Sequence, residues 1–230
     1  MLARFADGRT TFVDFRERAP AAATRDMYLD AKGDIVPRAS LDGYLAVGVP
    51  GSVMGFETAR EKYGTKARGT LIAPAIAFAD RGFVLDEGDI ALLTTATDDF
   101  RADPATATIF LNKGQPYKVG DRLVQKDLAH TLRLIAQRGP DGFYRGFVAD
   151  AIAASSAVGN GIITKEDLAQ YRVRELAPIE CDYRGYHVVS APPPSSGGVV
   201  VCEILNILEA YPLKDLGFRS AQAVHYQIEA

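Results

Sequence analysis

The residues with most chemical potential lie near the start of the chain, in T-F-V-D-F-R-E-R-A-P over Thr11–Pro20. Asp14, Arg16, Glu17 and Arg18 fall within five residues, directly after the strand formers Phe12, Val13 and Phe15. A guanidinium is charged at any working pH, and its planar fork matches a carboxylate through two hydrogen bonds. Arg16 is therefore a candidate anchor for a substrate carboxylate. The alternative is a strand-end arginine paired with Asp14 or Glu17 and partly solvated, an arrangement that contributes little. Alternation along a strand would put Thr11, Val13 and Phe15 on one face, and Phe12, Asp14 and Arg16 on the other.

A second stretch, P-P-P-S-S-G-G over Pro192–Gly198, offers two serine hydroxyls and two glycine N–H groups before a helix. Such a helix start can receive an anion. The plainer use is structural: prolines stiffen the loop, a serine caps the helix and glycines allow close packing. We take the plainer use. Ser195, His187 and Asp182 could be assembled into a triad on paper, but no G-x-S-x-G elbow surrounds any serine. Gly48–Ser52 lacks the Gly-Lys-Ser/Thr ending of a phosphate loop. His130, His187 and His225 are scattered, so no metal site is expected. Cys181 and Cys202 have no metal-ligand spacing. A disulfide between them stays open, and two buried thiols are the expected state.

Several elements must position these groups. Leu2–Phe5 and Thr11–Arg16 read as a hairpin around Asp7-Gly8. Ala19–Leu41 reads as a loop with a strand-like piece at Met27–Leu29. Ser52 is a possible N-cap for a helix to Tyr63. Thr70–Asp80 is apolar all round, which predicts a buried helix with Pro74 in its first turn or at its start. Helices are expected at Glu87–Asp99 behind Asp86, briefly after Asp103-Pro104, and at Lys126–Arg138. In the last of these Leu128, Leu132 and Ile135 recur at helical spacing. Phe143–Ala157 follows, with a possible break at Gly146, and Thr164 begins a short helix with Asp167 at its third position. Pro178–Ser190 alternates as a hairpin, Val199–Ala210 is helical with Val201, Leu205 and Leu208 on its apolar face, and Ser220 caps Ala221–Ala230.

Composition supports a folded core and narrows the partners. Of 230 residues, 47% are hydrophobic and 24% charged, an ordinary balance for a globular chain. A net charge of −3 gives no case for nucleic acid or an anionic surface. No apolar run approaches the ~20 residues of a membrane helix. Arg4 and Asp7 stand where a secretory signal would be apolar.

Five segments, in the same order and nearly spanning the chain, resemble the large subunit of γ-glutamyltransferases. They are D-F-R-E-R-A-P (Asp14–Pro20), A-T-R-D-M-Y (Ala23–Tyr28), G-V-P-G-S-V-M-G-F (Gly48–Phe56), I-T-K-E-D-L-A-Q-Y (Ile163–Tyr171) and P-P-P-S-S-G-G. The resemblance implies an α/β (α+β) fold, part of the αββα sandwich of the N-terminal nucleophile hydrolases, mainly helical with one or two core strands at Leu2–Arg16. It implies transfer or hydrolysis of γ-glutamyl groups from glutathione-like donors, with Arg16 on the donor's α-carboxylate. The nucleophile it implies is the N-terminal Thr of a small subunit, in a T-T-H segment that residues 1–230 do not match. No catalytic residue is therefore expected in this chain, and no cofactor. The partners implied are a small-molecule γ-glutamyl donor and the catalytic small subunit of the same precursor. The resemblance points to a periplasmic or extracellular site. Residues 1–230 are expected to be one partial domain of the large subunit, truncated at both ends and inactive alone. A cephalosporin or glutaryl acylase relative, and a non-catalytic scaffold or binding fragment, are the alternative readings.

Overall fold

The computed structural model describes residues 1–230. Its first elements are β1 (Leu2–Arg4), β2 (Thr10–Asp14), a single 3-10 turn at Tyr44–Ala46, α1 (Ser52–Tyr63) and α2 (Arg68–Arg81). A short β3 (Phe83–Val84) leads to α3 (Glu87–Thr95), α4 (Thr97–Ala102) and α5 (Pro104–Phe110). Then come β4 (Arg122–Leu123), α6 (Lys126–Arg138), α7 (Asp141–Tyr144), α8 (Gly146–Val158) and α9 (Lys165–Gln170). The last elements are β5 (Arg174–Leu176), β6 (Ile179–Tyr183), β7 (Tyr186–Ser190), α10 (Gly197–Glu209) and α11 (Ala221–Glu229). The fold is mixed and mainly helical, as the sequence predicts. It divides into two compact units, Met1–Arg16 with Arg172–Ala230, and Glu17–Tyr171.

The first unit is built on an antiparallel sheet in the order β1-β2-β5. Val13, on the central strand, is fully buried. The β6–β7 hairpin turns at Arg184-Gly185, both with positive φ, the pairing that a tight two-residue hairpin favours. Helix α10 packs on this hairpin. Gly198 makes that approach possible, because a Cβ there would meet the Ala191 carbonyl oxygen at 2.3 Å. The Arg184 guanidinium donates to the carbonyls of Leu208 and Tyr211 at the end of α10, adding to the backbone N–H bonds those carbonyls already accept. Tyr211 stacks on Tyr226 of α11 with ring centroids 4.2 Å apart.

The second unit packs α2 against α6 and runs α6, α7, α8 and α9 as a connected helical layer. Asp80 of α2 accepts from both Lys126 (3.0 Å) and Arg133 (2.9 Å) of α6. Glu57 of α1 is buried and receives Arg60 and Arg68, so that one carboxylate ties α1 to the start of α2. Those two guanidinium groups hold its carboxyl down at about 2. Both expected acidic caps form, Asp86 with Asp89 and Thr164 with Asp167.

Four expectations fail for identifiable reasons. Pro74 lies in the middle of α2, where it leaves the Thr70 carbonyl without its helical donor. That helix is also not buried: Leu71 and Phe78 are half exposed or more, and Ala79 alone is buried. Ser52 and Ser196 do not cap through their side chains; Gly51 and Ser196 take the cap positions of α1 and α10 with no side-chain bond. The two cysteines are not free thiols. Cys181 of β6 and Cys202 of α10 form a disulfide, because α10 lies along the hairpin and brings the Cα atoms within 6.0 Å.

Candidate functional site

Strand β2 ends at Asp14, two residues before Arg16. Both Val13 and Asp14 are buried although they point to opposite faces, so this end of the sheet is covered on both sides. A buried carboxylate needs compensation. The register supplies it: Asp14 stands directly opposite Arg174 on β5. Arg174 donates to Asp14 Oδ2 through Nε at 3.0 Å and Nη2 at 2.5 Å. The other oxygen, Oδ1, accepts the backbone N–H of Arg16 at 3.1 Å. Asp14 thus fixes the backbone from which Arg16 projects, and the Arg16 residue itself is exposed.

Arg174 is the contributor that sequence reasoning missed. Its strand is three residues long and pairs across 160 positions, too little pattern to recognise.

In the second unit, three of the segments singled out in the sequence meet. Arg18 and Val49 exchange backbone hydrogen bonds of 3.2 and 2.8 Å. The Arg18 guanidinium lies 5.7 Å from the centre of the Tyr171 ring. Tyr171 stacks on Tyr144 at 5.7 Å, and the Tyr144 hydroxyl donates to the Pro50 carbonyl at 2.8 Å while accepting from the Met54 N–H at 3.3 Å. Burial pushes the Tyr144 phenol up to about 12. Asp167 accepts the Ala21 N–H at 2.7 Å. Burial pushes its carboxyl upward, but the hydrogen bonds from Ala21 and Thr164 outweigh that and the net shift is downward. These segments are a scaffold of backbone and aromatic contacts.

The remaining candidates do not assemble. His187 turns Nδ1 to Asp182 at 2.9 Å and its Nε2 lies 3.7 Å from Glu180, and no hydrogen bond joins His187 to Ser195. No group of three or more His, Cys, Asp or Glu side chains is arranged to hold a metal ion, and no helix is long and apolar enough to cross a membrane.

The family model described as Gamma-glutamyltranspeptidase matches residues 1–230 in full. The chain belongs to the γ-glutamyltranspeptidase family. It is 66% identical over 231 residues to the glutathione hydrolase proenzyme of Pseudomonas sp. (strain A14), covering 100% of this chain and 40% of that protein. It is 40% identical over 233 residues to the acylase ACY 1 proenzyme of Pseudomonas sp. (strain SE83), covering 99% of this chain and 42% of that protein. The crystal structure of Helicobacter pylori γ-glutamyltranspeptidase superposes with a TM-score of 0.97 at 43% identity, over 100% of this chain and 66% of that one. The chain spans about 40% of the length of the curated relatives it matches. The γ-glutamyltranspeptidase fold is therefore shared across residues 1–230, and the D-F-R-E segment sits in it where β2 ends.

Proposed function

We propose that the protein carrying this chain transfers or hydrolyses γ-glutamyl groups of glutathione-like donors, and that Arg16 holds the donor's α-carboxylate. The observation that carries the reading is family membership over the whole of residues 1–230, with an exposed Arg16 two residues beyond a braced, buried Asp14. Bidentate capture of a carboxylate needs a guanidinium whose origin does not wander. The Asp14–Arg174 pair supports that by fixing the backbone at Arg16.

The nucleophile in this proposal is the N-terminal threonine of a small subunit released from the same precursor, with its own amine as base. The relatives' description as proenzymes supports processing. Residues 1–230 would then be large-subunit sequence whose role is to position the donor, and positioning alone can carry several kcal/mol of a barrier. The identity to an acylase proenzyme favours one second reading, in which the donor carries a glutaryl-type group that keeps the terminal carboxylate and lacks the α-amino group.

The test is to give the full-length processed protein a γ-glutamyl anilide and the matching glutaryl anilide. Faster release of the amine from the γ-glutamyl compound is the expected result. Preference for the glutaryl compound would transfer the assignment to the acylase reading.

A further inference from the structure

In the second unit, α6, α8 and the turn at Tyr44–Ala46 line an open groove of about 610 Å³, whose rim residues Phe147, Asp127 and His130 are exposed. That is within the size range of small-molecule sites. One wall is polar: Asp127, His130 and Thr131 of α6 stand at i, i+3 and i+4 and so share a face. The facing wall is apolar, from Phe147, Val148 and Ile152 of α8, and Tyr44 closes one side.

The frame is built, not incidental. The Tyr44 ring occupies space left by two glycines after α8, since a Cβ on Gly159 would come within 2.0 Å of that ring and one on Gly161 within 3.0 Å of the Tyr44 Cβ. Ser156 Oγ accepts the Ile163 N–H at 3.0 Å and fixes the turn between them. At the rim, His130 and Phe147 meet edge to face, 5.6 Å between centroids, and so connect α6 to α8.

Charge sets the ligand class. Asp127 is the one acidic or strongly basic residue lining the groove. The nearest cations on its own helix, Lys126 and Arg133, are both engaged by Asp80 on α2. The Asp127 carboxylate has no partner within the chain. A largely apolar groove with one exposed carboxylate that no cation of the chain engages favours an apolar body carrying a positive charge. Aromatic faces add to that preference for a cation.

We propose that this groove binds a small hydrophobic amine, with the ammonium on Asp127 and the apolar body against Phe147, Ile152 and Tyr44. This site is independent of Arg16 and of γ-glutamyl transfer.

The test uses 2-phenylethylamine as the probe on the full-length protein, with binding measured by calorimetry. Controls are 3-phenylpropionate, which keeps the ring and reverses the charge, and ethylamine, which keeps the charge and loses the ring. Saturable binding of 2-phenylethylamine, at least about tenfold tighter than either control, is expected from a charge-assisted bond added to apolar burial. Asp127→Asn should weaken it about tenfold and erase the preference over 3-phenylpropionate. Ala151→Phe and, as a second filling variant, Ser155→Phe should abolish binding with an unchanged circular dichroism spectrum; both residues line the groove from α8. Absence of saturable binding by the amine would overturn the proposal. So would equal affinity for the carboxylate, unchanged affinity in Asp127→Asn, or binding retained by both filled variants.

Discussion

Asp14 does two jobs with one carboxylate, holding Arg174 across the sheet and the N–H of Arg16 along the chain. Asp14→Asn keeps the size and removes the charge, leaving Arg174 without its counter-ion. Because Arg174 is half exposed, the loss should be moderate, about 1–3 kcal/mol, read as a lower urea midpoint at unchanged slope. Glu57 gives a pH signature. Its carboxyl sits at about 2 in the fold against 4.5 ordinarily, chiefly through the hydrogen bonds from Arg68 and then Arg60. A depressed value means that the stabilisation is complete above 4.5 and is lost as pH falls toward 2. Its upper limit is about 3 kcal/mol, less because both arginines are a quarter exposed. Stability of the parent should therefore fall between pH 4.5 and 2 more steeply than that of Glu57→Gln, as followed by thermal melts. Parallel curves would show that this triad contributes nothing.

Among the elements, those with strong local patterns were legible. Helix α6 occupies the predicted Lys126–Arg138, because its amphipathic spacing and the Gly139-Pro140 stop are both local signals. The β6–β7 hairpin and the Asp86 and Thr164 caps were readable for the same reason. What stayed hidden depends on distant partners. Strand β5 exists because β2 offers an edge, and Pro74 is tolerated inside α2 by packing on α6. The disulfide could not be read from spacing; it follows from α10 lying on the hairpin. That bond closes a separation of 21 residues, for which chain entropy predicts about 3 kcal/mol. Reductant should lower the melting temperature of the parent and leave a Cys181→Ser/Cys202→Ser double variant unmoved. Equal melting with and without reductant would mean that the bond does not constrain the unfolded chain.

For the whole molecule, the site was legible only as far as Arg16. Its residue type and its place after a strand were in the sequence, while the Arg174 brace required the sheet. The proposal puts the nucleophile outside residues 1–230, so this chain purified alone should release no amine from a γ-glutamyl anilide. Turnover that survives repurification would contradict that. The central claim is that Arg16 binds the donor's α-carboxylate, and a substrate-by-variant comparison in the full-length protein tests it most directly. Measure kcat/KM for a γ-glutamyl anilide and for the 4-aminobutyryl analogue that lacks the α-carboxylate, in the parent and in Arg16→Ala. Losing one partner of such a pair costs about 2–5 kcal/mol, or roughly 30- to several-thousand-fold in kcat/KM. The account predicts that loss with the γ-glutamyl donor, carried mainly by KM, partial recovery in Arg16→Lys, and little change with the analogue. Near-parental kcat/KM with the γ-glutamyl donor, or an equal loss with both donors, would contradict it and return Arg16 to the role of a strand-end charge.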